Sequence, residues 1–418
     1  MGIVSITRAA TLEQLRQAKN AGFNHVEIYL PQGTFAKQTA EEYAGEVKQR
    51  LKKTGLNAVS VVVSKSSPSD FEGNLLNSIE FASALGVKRV VADYPKSRSE
   101  ELKILGIGER ERAKSKVRFL HEAMLSPFEA GEILSKAKPF AEKKGVSIFI
   151  EAPGGSDLTA KALSFRGWQK ITKQSHGFVL DLEHFAQQRI VQPLEEVHNP
   201  LQRFLENVES GMRESKALGE EDGVLLKSFY GDYSKFMTSK HRKFFSSFLQ
   251  NPSRDKAKEI LRLVKPSRVN LPPSGKPEEM LIVPSNWVSK LMMKAWSSLP
   301  VEHVHLTGGH LAPLLRNPKQ TIFGPSDERL EHSYEIRLKD EKTGVWKSVF
   351  LGSTPEHKLY DYLHVPLPGN LYAAEGGKWH LLLKALLKAR SPVLNFEIPP
   401  ESLSKEKWDG VRRVLKGV

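Results

Sequence analysis

A repeated order of amphipathic helix, glycine and β-branched run is the feature that most constrains how this chain can fold. Four segments show the apolar period of a helix, and each is followed by a glycine and then by a β-branched run. Glycine just beyond a helix permits the left-handed backbone that ends it. The predicted helices are Thr11 to Ala21, Ala40 to Thr54, Leu75 to Leu85 and Pro127 to Lys144, with the glycines Gly22, Gly55, Gly86 and Gly145. This alternation is typical of a parallel sheet built through right-handed crossovers.

Eight short runs qualify as strands of this sheet. They begin near Ile3, His25, Ala58, Lys88, Val146, Gly177, Glu302 and Val393. A doubly wound open sheet usually stops at about five or six strands, whereas a closed (β/α)8 barrel has eight. We therefore predict an α/β fold of the TIM barrel type.

Long segments after the fourth, sixth and seventh strands predict insertions at those three places. We expect the first six βα units in residues 1–195, a helical and basic insertion with a Pro-rich linker in 196–299, and the last two units in 300–418. Two alternating runs around a Lys-Thr-Gly turn predict a β-hairpin insertion at about residues 320–358. Because connections that follow strands lie at the C-terminal face of a barrel, these insertions would wall its active site.

Composition limits the partners and the chemistry. The chain has 62 Lys and Arg residues against 48 Asp and Glu residues, and the net charge of +14 favours an anionic partner such as nucleic acid or a phosphorylated metabolite, although a basic proteome explains it equally well. Without cysteine there is no disulfide, thiolate metal site or cysteine nucleophile. No apolar stretch resembles a membrane span or a signal peptide, so we expect a cytoplasmic protein. The oligomeric state stays open.

Ionisable residues stand at the ends of the last four predicted strands, where a barrel places its active site. Glu151 ends the fifth strand and Glu397 the eighth, and each follows an apolar run that would bury it. A buried glutamate is costly without a cation or hydrogen-bonding partners. Asp181 and His184 follow the sixth strand, where the aspartate could instead cap the next helix.

The seventh strand carries two histidines, His303 and His305. We expect one imidazole to face the barrel interior and the other to face outwards, and we prefer His305 as the inward one because it precedes the loop. Three carboxylates and one imidazole would suit a single divalent ion, Mn²⁺, Mg²⁺, Co²⁺ or Zn²⁺. Glu27, at the end of the second strand, is a further candidate for the mouth, with helix capping as the alternative.

These residues resemble those of a known superfamily. The order of the motifs is similar to that in the xylose-isomerase-like TIM barrels: Glu at the fifth strand, Asp-x-x-His at the sixth, His-x-His-Leu at the seventh and Glu at the eighth. That superfamily includes sugar isomerases and epimerases and the endonuclease IV group of nucleases. The first two βα units resemble theirs as well, so the resemblance covers roughly residues 1–195 and 300–400.

The resemblance implies one divalent metal ion bound by Glu151, Asp181, His305 and Glu397, with the two glutamates as the catalytic acid and base. It also implies that His184 and His364 contact the substrate, and we add Glu27 and His303 to the predicted substrate contacts. The function it implies is a metal-dependent isomerase or epimerase acting on a sugar, sugar acid or polyol, whether or not it is phosphorylated.

Two other functions remain as alternatives. The first is a metal-dependent phosphodiesterase acting on nucleic acid, which the basic charge favours. Its relatives use extra histidines at strands two to four to hold three metals, and the carboxyl ends of the runs HVEIYL, VVVSKS and VADYP carry no histidine. The second is a non-catalytic barrel whose basic insertions bind an anionic partner.

Overall fold

The structure is a computed structural model that describes most of the barrel and much of the insertions. It describes residues 3–31, 33–36, 38–63, 70–93, 96–97, 123–124, 127–151, 165–181, 185, 192–265, 267–270, 280–283, 285–307, 333–339, 346–352 and 392–397.

Eight parallel strands close into a barrel, and they are the eight strands that the sequence predicts. Each strand pairs with its neighbours in chain order, and the first pairs with the last to close the sheet. The strands are β1 (Val4–Ala9), β2 (His25–Leu30), β3 (Asn57–Val63), β4 (Arg89–Asp93), β5 (Ser147–Glu151), β6 (Gly177–Asp181), β7 (Val301–Thr307) and β8 (Val393–Glu397). The predicted TIM barrel fold is confirmed.

Five helices, one after each of the strands β1 to β5, pack around this barrel. They are α1 (Leu12–Asn20), α2 (Ala40–Thr54), α3 (Phe71–Leu85), α4 (Pro127–Lys143) and α5 (Phe165–Gln174). Thr39 begins α2 with a capping box: its hydroxyl accepts from the Glu42 N–H at 3.2 Å, and the Glu42 carboxylate accepts from the Thr39 N–H at 2.9 Å. Apolar faces of the helices pack on the outward side chains of the strands, which forms the main hydrophobic core.

The four predicted glycines end α1 to α4 in the left-handed conformation. Their φ angles are 91° at Gly22, 64° at Gly55, 84° at Gly86 and 71° at Gly145. In each case the N–H of the next residue bonds to the carbonyl five residues before it, as in Leu56 to Leu51 at 3.2 Å. This turn redirects the chain from each helix into the next strand.

The three predicted insertions are present after β4, β6 and β7. The one after β6 is helical, with a π-helical turn (Leu194–His198), a 3-10 turn (Ser234–Phe236), α6 (Asn199–Glu209), α7 (Glu214–Ala217), α8 (Glu220–Tyr233), α9 (Ser239–Gln250), α10 (Arg254–Val264), a two-stranded pair (Ser267–Asn270 with Met280–Val283) and α11 (Asn286–Trp296). The one after β7 contains the predicted β-hairpin, Ser333–Lys339 paired with Trp346–Gly352. After β4, Lys96–Ser97 pairs with Ala123–Met124.

The helical insertion packs directly on the barrel. Asp232 of the insertion accepts a hydrogen bond from the backbone N–H of Phe165 at 2.8 Å. This N–H belongs to the first turn of α5, where backbone N–H groups have no acceptor within the helix. Arg166 donates to the Gly231 carbonyl at 2.6 Å. The rings of Tyr233 and Phe165 stack 5.8 Å apart. The insertion and the barrel therefore share one hydrophobic core. Among the described helices, none is both long and apolar enough to cross a membrane.

Side chains inside the barrel separate into an apolar half and a polar half. The apolar half is a cluster of Val62, Val91, Phe149 and Val179, which come from β3 to β6. The polar half is made of buried side chains from β1, β2, β3, β7 and β8: Ser5, Glu27, Ser60, His303, His305 and Asn395. The carboxyl ends of all eight strands lie at the same face of the barrel, so the predicted site at the ends of β5 to β8 adjoins both halves.

Candidate functional site

The strand registers bring the four predicted metal ligands together at one mouth of the barrel. Thr307 of β7 pairs with Glu397 of β8, and His305 pairs with Asp181 of β6. The Nδ1 atom of His305 lies 3.0 Å from Oε2 of Glu151 and 3.3 Å from Oε1 of Glu397. One donor atom each from Glu151, Asp181 and His305 lies within 4.8 Å of the others.

These separations fit a single divalent cation. Ligands at about 2.1 Å from an octahedral ion lie roughly 3.0 Å apart when adjacent and roughly 4.2 Å apart when opposite. The two distances from His305 Nδ1, 3.0 and 3.3 Å, match adjacent ligands. Three carboxylates and one imidazole also have the oxygen-rich composition that Mg²⁺, Mn²⁺ and catalytic Zn²⁺ accept. The donor set and its spacing are therefore suitable for an ion.

Burial and mutual repulsion shift the pKa values of this group. Burial raises the pKa of Glu151 well above its ordinary value, with a further rise from the negative charges of Asp93 and Glu397. Burial and the surrounding carboxylates likewise raise the pKa of Glu397 to about 7. For His305, burial alone would lower the pKa, but the carboxylates of Glu151, Glu397 and Glu27 raise it well above its ordinary value. A metal-free site therefore holds protons where a cation would bind.

A hydrogen-bonded network lies beneath the mouth, and Glu27 is at its centre. Its Oε1 atom accepts from the Thr7 hydroxyl at 3.0 Å and from the Asn395 amide at 2.8 Å, and its Oε2 atom accepts from the Ser60 hydroxyl at 2.7 Å. Burial alone would raise the pKa of Glu27, but the two imidazoles of β7 lower it well below its ordinary value. Glu27 is therefore a buried carboxylate held in its charged form.

The expectation that only one histidine of β7 faces inwards is wrong. His303 and His305 are both fully buried, and their Nε2 atoms each lie 3.2 Å from an oxygen of Glu27. The physical reason is the period of two in a strand: adjacent residues alternate, so residues separated by one position share a face. Val304 between them is the residue that points outwards into the main core.

The burial of Glu27 and His303 bears on their predicted role as substrate contacts. Neither side chain has any exposed surface, and His303 lies deeper in the barrel than His305 because it precedes His305 by two residues on β7. Their contact with a substrate stays a prediction. His184 and His364, the other two predicted substrate contacts, lie outside the described residues.

Asp93 is a carboxylate that the sequence reasoning missed. It ends β4 and pairs in register with Glu151 of β5. Its negative charge raises the pKa of both Glu151 and Glu397, so it faces the same mouth. The signal was present, because an ionisable residue closes the fourth strand just as it closes the fifth and the sixth.

Comparison with known proteins gives one family and several distant structures. A family model described as "xylose isomerase-like TIM barrel" matches residues 15–204. No functionally curated protein matches the chain.

Three solved structures illustrate the structural likeness. A fusion of a xylose isomerase-like TIM barrel with 4-hydroxyphenylpyruvate dioxygenase is 16% identical with a TM-score of 0.30, covering 48% of this chain, and the chain spans only 30% of that protein. A xylose isomerase-like TIM barrel protein from Mycobacterium smegmatis, in complex with magnesium, is 13% identical with a TM-score of 0.42, over 97% of this chain and 88% of that one. D-psicose 3-epimerase from Clostridium cellulolyticum H10, with D-tagatose, is 12% identical with a TM-score of 0.31, over 44% and 65%.

The family match covers the segment from α1 to α6, which contains Glu27, Glu151 and Asp181. Over this segment the resemblance to the xylose isomerase-like TIM barrels is confirmed.

Proposed function

We propose that this protein is a divalent-metal-dependent isomerase or epimerase of a sugar, sugar acid or polyol. The observation that carries the proposal is the meeting of Glu151, Asp181, His305 and Glu397 around one small volume at the carboxyl end of the barrel. These four side chains come from four neighbouring strands, β5 to β8, and the parallel pairing of these strands brings their ends together.

A cation in this site would polarise a carbonyl and a neighbouring hydroxyl of the substrate, which acidifies the carbon-bound hydrogen between them. The residues around it are suited to move that proton. Carboxylate oxygens of Glu151 and Glu397 lie 3.0 and 3.3 Å from the His305 Nδ1 atom. Carboxylates on two sides of a bound sugar can remove a proton from one face of a carbon and return one to the other.

Proton affinity supports the same pair of residues. The pKa of Glu397, raised to about 7 by burial and its neighbours, makes this carboxyl able to hold or release a proton near neutral pH. Its side chain is 25% exposed, so it borders the open mouth, whereas Glu151 is 4% exposed. We propose Glu397 as the group that exchanges its proton with solvent between turnovers.

The experiment is proton exchange on carbon. The metal-free protein is loaded with Mn²⁺ and incubated in D₂O with ketoses, aldoses, sugar acids and inositols, with and without phosphate groups, and deuterium beside the carbonyl is followed by NMR. We expect exchange with at least one class, and a fall of about 10²-fold or more in Glu151→Gln and in Glu397→Gln. Glu302→Gln is the matched control, because Glu302 lies on β7 with its side chain exposed. Equal exchange in all four proteins would contradict the proposal.

Action on nucleic acid is the competing outcome, and the net charge of +14 is the observation that favours it. The described ends of β2 and β4, Leu30 and Asp93, carry no histidine, so the described mouth does not supply the ligands for three metals. Cleavage of abasic-site DNA, with binding that weakens steeply as salt rises, would favour the nuclease. A cytoplasmic location and a small-molecule partner are part of the proposal.

A further inference from the structure

The buried carboxylate of Glu27 contacts a proposed metal ligand from the side opposite the mouth. The imidazole of His305 lies between two groups of carboxylates: its Nδ1 atom faces Glu151 and Glu397 at 3.0 and 3.3 Å, and its Nε2 atom faces Oε1 of Glu27 at 3.2 Å. An imidazole that binds an ion is neutral and has one N–H and one lone pair, so only one of its two nitrogens carries a hydrogen once the ion is bound.

The surroundings of Glu27 decide which side that is. Glu27 has no exposed surface, and three neutral donors from three other strands, Thr7, Ser60 and Asn395, already point at it. A buried carboxylate surrounded by donors stays ionised and accepts hydrogen bonds only. With an ion at Nδ1, the single hydrogen of the neutral His305 ring is therefore on Nε2, which lies 3.2 Å from Oε1 of Glu27.

Neighbouring strands keep this carboxylate in place. Asn395 on β8 accepts from the Ser5 hydroxyl at 2.9 Å and donates to Glu27 at 2.8 Å, which fixes the amide between β1 and β2. His303 precedes His305 by two residues on β7, and its Nε2 atom lies 3.2 Å from Oε2, the second oxygen of Glu27. The carboxylate thus cannot turn away from His305 without breaking hydrogen bonds on both oxygens.

We propose that Glu27 is a positioning residue for the metal site: by accepting the Nε2 hydrogen of His305, it fixes the imidazole tautomer whose Nδ1 lone pair points at Glu151, Asp181 and Glu397. This inference rests on the proposed function, since it assigns Glu27 a role in the same site. A carboxylate behind a metal-bound histidine orients the ring and raises the basicity of the binding nitrogen, and its loss typically weakens metal binding by about 10- to 100-fold.

Another arrangement of the same atoms is a second metal site formed by Glu27, His303 and His305, whose donor atoms also lie within 4.8 Å of one another. The hydrogen bonds speak against it. The hydrogens of two hydroxyls and an amide already point at the Glu27 oxygens, and a cation there would face these donated hydrogens. The site is also completely buried, and a second ion there would take the Nε2 nitrogen that the first arrangement uses as a donor.

The test measures Zn²⁺ binding by the full-length protein, with affinity from competition with a chelator and stoichiometry from elemental analysis. We expect one Zn²⁺ per chain in the wild type and binding that is about 10- to 100-fold weaker in Glu27→Gln, with Glu302→Gln within twofold of the wild type. The far-ultraviolet circular dichroism of the variants is compared to confirm that the barrel is folded.

A second measurement keeps the proposal testable if Glu27→Gln fails to fold. In the Zn²⁺-loaded wild type, two-bond ¹⁵N–¹H NMR spectra of the histidine rings report the tautomer, and His305→Asn identifies the His305 signals. We expect a hydrogen on Nε2 and a metal-bound Nδ1.

Each outcome has one meaning. Three results would each overturn the inference while leaving a metal site at the mouth. They are a hydrogen on Nδ1, two Zn²⁺ ions per chain of which one is lost in His303→Asn, and unchanged Zn²⁺ binding in a folded Glu27→Gln. No Zn²⁺ bound by the wild type would overturn the proposed function and the inference with it.

Discussion

Replacing Glu397 by glutamine should make the metal-free protein more stable, although it removes a proposed catalytic group. In the folded chain, burial and the surrounding carboxylates raise the pKa of Glu397 from its ordinary 4.5 to about 7. An acid whose pKa is raised by folding favours the neutral form in the folded state. Its ionisation therefore destabilises the fold as the pH rises from about 4.5 through about 7.

The size of the effect follows from the shift. A difference of about 2.5 pKa units corresponds to roughly 3 kcal/mol of unfolding free energy at pH 8, and to less than about 1 kcal/mol at pH 5. Because the side chain is 25% exposed, we expect solvent to reduce the gain in Glu397→Gln to about 2 kcal/mol at pH 8.

The assay is urea unfolding of the wild type and Glu397→Gln at pH 5 and pH 8, in the presence of EDTA and again with Mn²⁺. With EDTA, the variant should be the more stable protein at pH 8 and nearly equal to the wild type at pH 5. With Mn²⁺ at about 100 times its dissociation constant, the wild type should gain roughly 2.7 kcal/mol, and the variant should gain less. A variant that is less stable than the wild type at pH 8 in EDTA would refute the reasoning.

Two further predictions concern the scaffold. Gly177→Ala should lower the unfolding free energy measured in urea by about 1 to 3 kcal/mol, because a Cβ there would lie 2.8 Å from the Phe149 ring. At Gly73 an added Cβ has nothing within 4 Å, so Gly73→Ala should leave the stability unchanged or stabilise α3. Equal effects of the two substitutions would refute the steric argument. Asp232→Ala should lower the unfolding free energy by about 1 to 2 kcal/mol in the same assay, because it removes the acceptor of the Phe165 N–H. Asp232→Asn keeps an acceptor oxygen and should lose less stability. Equal losses in the two variants would contradict a capping role.

Much of the fold could be predicted because its signals are local. A glycine after an amphipathic helix ends that helix wherever the rest of the chain lies, and all four glycines adopt the left-handed backbone. The start of α3 was less predictable: the helix begins at Phe71, four residues before the predicted Leu75. Asp70 stands at its N-cap position, but its side chain makes no capping hydrogen bond there, so the local signal was weak.

The quartet at the mouth could be found because each member closes a strand. In a parallel barrel, strand ends meet at one face regardless of how much chain separates them, and this geometry places Glu151 beside His305. The same rule applied to β4 would have found Asp93.

The network around Glu27 could not be predicted from the sequence. Thr7, Ser60 and Asn395 are common polar residues without a motif, and Asn395 is 368 positions from Glu27. Their contact depends on strand register and barrel closure, which fix which inward side chains share a layer. The two histidines were a different case, because the period of a strand alone places both of them on the inner face.

The central claim is that Glu151, Asp181, His305 and Glu397 hold one divalent cation. Anomalous diffraction from crystals grown with Mn²⁺ tests it most directly. The account predicts one strong peak at the barrel mouth, about 2.0 to 2.4 Å from donor atoms of these four side chains, with the Nδ1 atom of His305 among them. A peak elsewhere in the barrel, or no peak from protein that is saturated with Mn²⁺ in the crystal, would contradict it.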